Sequence, residues 1–280
     1  MRDTSRSVHE TGQGADVRRG SYAERMVNST GGVLLPQFHR LPAEGRVAEL
    51  VAWFWIPEWD IEPGRSSRQE IVGYPALNLV VEEDGVTLSG ATTRASHRDL
   101  RGSGWAVGAL LRPAAVAVLI EEPASLIDDL RMLDEPALHA DVMSAMTTGE
   151  GRRERAVSVF SRWLVDRVGE PTDAARLANA MVGALGGDGG ALTPGEAATR
   201  LAVSVRTLER MAHRYVGVSP AAMIRRRRLQ DAAQLLRDDP GTDLSTIAAE
   251  LGYADHAHLS RDFRAVLGIA PRTYRADVDG

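Results

Sequence analysis

The sequence predicts an α+β protein: an N-terminal antiparallel β-sheet or small barrel with following helices, then a C-terminal all-α region of two helix-turn-helix units joined by a linker helix. Three observations carry this. Short apolar or alternating runs fill residues 47–119, the apolar spacing lengthens to three and four after Pro123, and one helical pattern occurs twice between Leu192 and Arg275.

The strand candidates are VAWFWI (51–56), ALNLVV (76–81), VTLSG (86–90) and WAVGALL (105–111). Between them, EPGRSS (62–67), EEDG (82–85) and RGSG (101–104) supply residues suited to tight reversals. Leu126, Ile127, Leu130 and Leu133 form a stripe that predicts a short helix. Val157 to Val168 and Thr172 to Leu185 predict two longer ones, and GGDGG (186–190) ends the run as a candidate boundary. Residues 1–32 are polar, Gly-rich and aperiodic, which reads as a flexible tail.

At 280 residues, with 44% hydrophobic and 25% charged residues, the chain has room for two ordinary domains. It contains no apolar run of the roughly 18 residues that a membrane span needs, and its first thirty residues lack the apolar core of a signal peptide, so a cytoplasmic location away from membranes is expected. Cysteine is absent, which excludes disulfide scaffolds, thiolate zinc sites and cysteine nucleophiles. The net charge of -5 conceals an asymmetry: residues 1–190 carry 20 Arg and 27 acids, net -7, whereas residues 191–280 carry 13 Arg and 11 acids, net +2. The C-terminal third is the basic region that a polyanion would need.

In that third, Thr193 and Pro194 make a strong helix start, and Ala198 and Leu201 face inward before a turn at Ala202 and Val203. Ser204 then caps a second helix with Leu208, Met211 and Tyr215 on its buried stripe. A long helix runs from Ser219 and Pro220 to Pro240 and Gly241. The pattern then returns, so that Ala198, Leu201 and Leu208 are echoed by Ala248, Leu251 and Leu259.

The segment STIAAELGYADHAHLSRDFRAVLGIAPRTYR (245–275) resembles the signature of the AraC/XylS family of transcription regulators, and SVRTLERMAHRYVGVSPAAMIRRRRLQDAAQLL resembles its first unit and linker helix. The resemblance covers about 85 residues, Leu192 to Arg275. It implies a sequence-specific regulator whose two recognition helices enter successive major grooves of double-stranded DNA about 34 Å apart. By resemblance, Arg206, Glu209 and Arg210 of the first unit and His256, Ala257, Ser260 and Arg261 of the second face DNA. Arg225 to Arg228 on the linker helix read as a phosphate-binding stripe with Arg225 as its candidate, although four consecutive residues point around a whole turn, so that the competing reading leaves the others solvated or paired with acids. Ala257 departs from the expected polar residue and offers only a methyl group. The implied domains are a tail (1–32), a β-rich sensing or dimerisation domain (33–135), a helical connector (136–190) and the DNA-binding domain (191–280).

GYPALNLVV (73–81), SGATTR (89–94) and VGALLRPAAVAVLI (107–120) resemble, more diffusely, the N-terminal domains of some actinobacterial members of that family. A small-molecule effector, a second copy of the chain and RNA polymerase are the other partners this implies. Trp53, Trp55 and Arg112 are the effector candidates, with core packing and a structural salt bridge as the competing readings. His39, His97 and His139 lack metal-ligand spacing, and no Ser/His/Asp set, phosphate loop or carboxylate pair is evident, so neither an enzyme nor a cofactor is expected. The alternative is an enzyme or catalytic sensor domain fused to a DNA-binding module.

Overall fold

The computed structural model describes residues 36–71, 74–147, 149–186, 189–239 and 241–274. The expected tail therefore lies outside the described residues, as do part of the GGDGG boundary and the last six residues. The fold class is as the sequence predicts. Nine strands are defined among the described residues: β1 (Gln37–Pro42), β2 (Val51–Asp60), β3 (Ser67–Ile71), β4 (Asn78–Glu82), β5 (Gly85–Ser89), β6 (Ser96–Leu100), β7 (Ser103–Trp105), β8 (Val107–Leu111) and β9 (Leu130–Leu133).

Seven of them form one antiparallel sheet in the order β1-β2-β8-β4-β5-β9, with β7 also pairing with β2, while β3 and β6 form a separate ribbon. The register Phe54↔Ala109, Leu79↔Ala109 and Leu79↔Leu88 puts these side chains on one face, where Phe54, Leu79, Leu88 and Ala109 are fully buried. Trp53 and Trp55, one residue out of phase, emerge on the opposite face. The ribbon is tied to that sheet by Arg98, which pairs with Glu82 and lies 5.9 Å from the Trp59 ring.

The stripe at Leu126 to Leu133 is not a helix. Pro123–Leu126 forms a single 3-10 turn, Asp128 reverses the chain at φ 55, and Leu130–Leu133 pairs with β5 as an edge strand. Sheet pairing outweighs the weak helical period here, and it leaves Leu130 and Met132 more than half exposed.

Helices α1 (Pro113–Leu119), α2 (Pro136–Thr147), α3 (Arg152–Val168) and α4 (Asp173–Gly186) cover the buried face. Phe160 of α3 meets Phe54 edge to face at 5.6 Å. The C-terminal helices are α5 (Pro194–Arg200), α6 (Val205–Tyr215), α7 (Pro220–Asp238), α8 (Leu244–Glu250) and α9 (His256–Leu267). Each starts at a side-chain cap: Thr193, Ser204 and Ser219, where the sequence predicts helix starts, and Asp243 and Asp255 accept from backbone amides of the first turn.

The hydrophobic core does not part at residue 190. One cluster runs from Val47 through the sheet, α1 to α4 and the first helix-turn-helix unit to Ile224, and a second begins at Leu229 and holds only the second unit. The break falls inside α7.

The turns of the two units are alike. The Val203 amide donates to the Ala198 carbonyl at 3.0 Å and the Tyr253 amide to that of Ala248 at 2.8 Å. Ala202 occupies the left-handed region at φ 52 where the second unit has Gly252 at φ 71. Ala202→Gly removes a strain of about 1–2 kcal/mol and adds unfolded-state freedom of about 0.4–1 kcal/mol, so the expected net gain is up to about 1.6 kcal/mol and centred on about 1 kcal/mol. A urea midpoint equal to or below that of the parent chain would refute this.

Candidate nucleic-acid interface

Helix α6 buries Leu208, Met211, Ala212 and Tyr215, and the opposite side therefore presents Arg206, Glu209, Arg210, His213 and Arg214 to solvent. Arg206 and Arg210 are four residues apart and share one face. In α9, Leu259, Phe263 and Val266 are buried, leaving His256, Ala257, Arg261 and Arg264 exposed and Ser260 half-buried. The resemblance-derived positions thus fall on the solvent side of both helices. His213 and Arg214 in α6 and Arg264 in α9 extend the same exposed surfaces, and their places in the last turns could have been read from the helical period.

His258 packs within the second unit. Its ring meets Tyr253 edge to face at 5.2 Å and lies 3.9 Å from Asp262. Of the four consecutive arginines on α7, Arg225 is exposed, Arg228 is half-buried, and Arg226 and Arg227 retain only 4% and 7% exposure. Burial pulls the Arg226 pKa down to about 10, so it remains charged at neutral pH.

Residues 197–277 match the family model of a helix-turn-helix domain. Over 82 residues the chain is 38% identical to the HTH-type transcriptional activator RhaS of Escherichia fergusonii, and over 81 residues it is 32% identical to RhaS of Pectobacterium carotovorum. The C-terminal domain belongs to the AraC/XylS family. Each RhaS match covers 29% of this chain and 29% of the relative, so the chain matches less than a third of the relatives' length. The AraC/XylS domain is preceded by residues 39–132, which match a domain of unknown function (DUF6597). Two solved structures of ToxT from Vibrio cholerae, one of them bound to an unsaturated fatty acid, align over 88% and 89% of this chain and 98% and 96% of theirs. Their identities are 14% and 12%, each with a TM-score of 0.39.

Ahead of the AraC/XylS domain, the sheet brings two of the effector candidates together. The Arg40 guanidinium lies 3.9 Å from the Trp53 ring centroid, Tyr74 meets Trp53 at 5.3 Å, and Phe38 stacks on Trp55. The Trp55 indole N–H donates to Asn78 Oδ1 at 3.1 Å, and the ring lies flat on Gly108, where a Cβ would come within 2.0 Å of it. Arg112 stands elsewhere in the architecture, at the cap of α1, where its Nε–H donates to the Val51 carbonyl at 3.3 Å.

A loop of the sheet region also reaches the second unit of the AraC/XylS domain. Asp128 accepts from the Thr93 amide at 2.7 Å, the Thr93 hydroxyl at 2.5 Å and the Arg94 guanidinium at 3.2 Å. The loop so held sets Ala95 against Gly268, where a Cβ would approach Ala95 to 3.1 Å.

Burial works to raise the Asp128 pKa, but the bonds from Thr93 and Arg94 outweigh it and hold the carboxyl below its usual value. A depressed carboxylate contributes stability that is present above its unfolded pKa of about 3.9 and is lost as pH falls through the lower folded value. Asn tolerates a positive φ, so Asp128→Asn isolates the charge and is expected to cost about 1–2 kcal/mol at pH 7. Urea midpoints at pH 7 and pH 3 test this, and a cost that does not shrink in acid counts against it.

Proposed function

We propose that the chain is a sequence-specific DNA-binding transcription regulator whose N-terminal domain adjusts DNA occupancy in response to a small molecule or to self-association. The observation that supports it is the doubled motif: two helices, each started by a side-chain cap and following the same amide-to-carbonyl turn, expose polar faces from a common linker helix. Arg206 and Arg210 of the first are suited to bidentate contact with guanine, Arg225 to a phosphate, and His256, Ala257, Ser260 and Arg261 to the second groove. The membership of residues 197–277 in the AraC/XylS family adds to this reading.

The experiment is selection from a random-sequence duplex library with the full chain, followed by titration of the enriched duplex and a scrambled control. A regulator enriches a two-part motif with guanines in two adjacent major grooves, and its affinity falls with rising salt on both duplexes. Equal affinity for the scrambled duplex at moderate salt would overturn sequence-specific binding.

On the sensing side, the proposed effector lies against Trp53 and Trp55, within reach of Arg40 and Tyr74, with Arg112 as a further candidate for an anionic group. Two tryptophans in one place give a direct readout: an effector quenches or shifts their emission in a saturable way, and Trp53→Phe diminishes that change.

A further inference from the structure

Four consecutive residues point around a whole helical turn, and Arg225 to Arg228 on α7 follow four directions. Three of them end on backbone carbonyls of other elements. Arg226 donates to the Val266 carbonyl at 3.3 Å, in the last turn of α9. Arg227 donates to the Leu185 carbonyl at 3.4 Å, in the last turn of α4, and its Nε is 3.4 Å from Asp231. Arg228 donates through one amino group to the Leu192 carbonyl at 2.7 Å and through the other to the Gly252 carbonyl at 3.4 Å.

Helix C-terminal carbonyls lack intrahelical partners and carry the negative end of the helix dipole, which makes a guanidinium a suitable cap. Leu185 and Val266 are such carbonyls, and Gly252 lies just past the end of α8. The arginines also occupy the seam of the molecule, because the first core ends at Ile224 and the second begins at Leu229. Among the described residues the buried apolar clusters of the two units are separate, and α7 with its polar contacts runs from one to the other.

Arg228 bonds to both units. Leu192 leads into α5, and Gly252 lies in the turn before α9, so the two amino groups of one guanidinium span the gap between the units. The Tyr253 ring, 5.8 Å from the same guanidinium, adds a cation–π contact on the second-unit side. A lysine ammonium is a point charge and cannot reproduce this fork.

We propose that Arg228 is a positioning residue that sets the distance and angle between the two recognition helices, and hence the spacing between the two half-sites that the protein accepts. This rests on the DNA-binding reading above. One base pair more or less between half-sites moves the second groove by about 3.4 Å and turns it by about 35°, so a rigid pair of helices tolerates few spacings.

The test begins with the duplex enriched by the full-length chain and a set in which the spacer is changed by one, two or three base pairs. Binding is followed by fluorescence anisotropy. The parent chain should prefer one spacing sharply. Arg228→Met should bind that duplex roughly tenfold to a hundredfold more weakly, as expected for losing charge-assisted hydrogen bonds, and its preference among spacers should flatten. Binding to a duplex carrying only the first unit's half-site should not change. Arg225→Met serves as the comparison, since loss of a phosphate contact weakens all spacings alike and lowers the salt slope.

A folded Arg228→Met with the parent's spacing profile overturns the proposal and leaves the DNA-binding reading intact. Should circular dichroism show that variant unfolded, Arg228→Gln, which can reach one carbonyl but not both, is read by the same criterion. A parent chain that enriches no motif overturns the DNA-binding reading and this proposal with it.

Discussion

Gly90→Ala is expected to destabilise the protein by more than about 3 kcal/mol, beyond the ordinary range for adding one methyl group to a packed site. Gly90 follows β5, and its amide donates to the Asp129 carbonyl at 3.0 Å. A Cβ there would sit 1.8 Å from the Leu126 carbonyl oxygen and 2.3 Å from its carbon. The obstacle is backbone, so no rotamer change relieves it, and either the strand end or the 3-10 turn must move. A melting temperature about 10 °C lower is the corresponding reading for a chain of this size. Gly64→Ala calibrates the result: Gly64 has φ 82 and nothing within 4 Å of its would-be Cβ, so only conformational strain is added there. If the two variants melt within about 2 °C of each other, close packing at Gly90 is refuted.

Arg210→Ala is expected to lower the preference for the enriched duplex over a scrambled one by roughly tenfold to a hundredfold, the value of a lost bidentate contact to guanine. Arg210 lies on the exposed side of α6, one turn beyond Arg206 and next to Glu209. Arg261→Ala should cost less discrimination, because its neighbour Ala257 has only a methyl group to offer and Ser260 is half-buried. Competition titrations with both variants on both duplexes decide the order. Equal losses would remove the ranking of the two units without touching DNA binding itself.

What the sequence revealed, and what it hid, divides along the reach of each interaction. The starts of α5, α6 and α7 were legible because a Ser or Thr side chain bonds to an amide three residues away, and such contacts are written in adjacent letters; Asp243 and Asp255 cap α8 and α9 in the same way. The apolar strands β2, β4, β5 and β8 were legible from their texture. SRQEI and SHRDL were not, since β3 and β6 are polar and pair with each other in a ribbon that leaves no apolar period to find. Edge strand β9 imitated a helix because Leu126 and Leu133 belong to different elements that happen to be spaced like one stripe.

The candidate DNA face was named through the family resemblance, and the helical period agrees with it, since Arg206 and Arg210 lie out of phase with the buried Leu208 and Met211. The roles of Arg226, Arg227 and Arg228 were not, because carbonyl partners 24 to 42 residues away leave no local mark. Nor could GGDGG disclose that the apolar core passes through residue 190 and stops inside α7.

The 3-10 turn at Pro123–Leu126 is gripped at two points by residues without side chains. Gly90 lies against Leu126, and Gly217, at φ 89, comes so near the start of the turn that a Cβ would be 2.8 Å from the Ala124 nitrogen. Where side chains separate two elements, their rotations absorb small displacements like padding. This joint has no such padding. The end of β5 and the entrance to α7 are separated by little more than the thickness of one peptide turn, so the joint behaves as a stiff spacer: a push on one side arrives undiminished on the other, or the seat gives way.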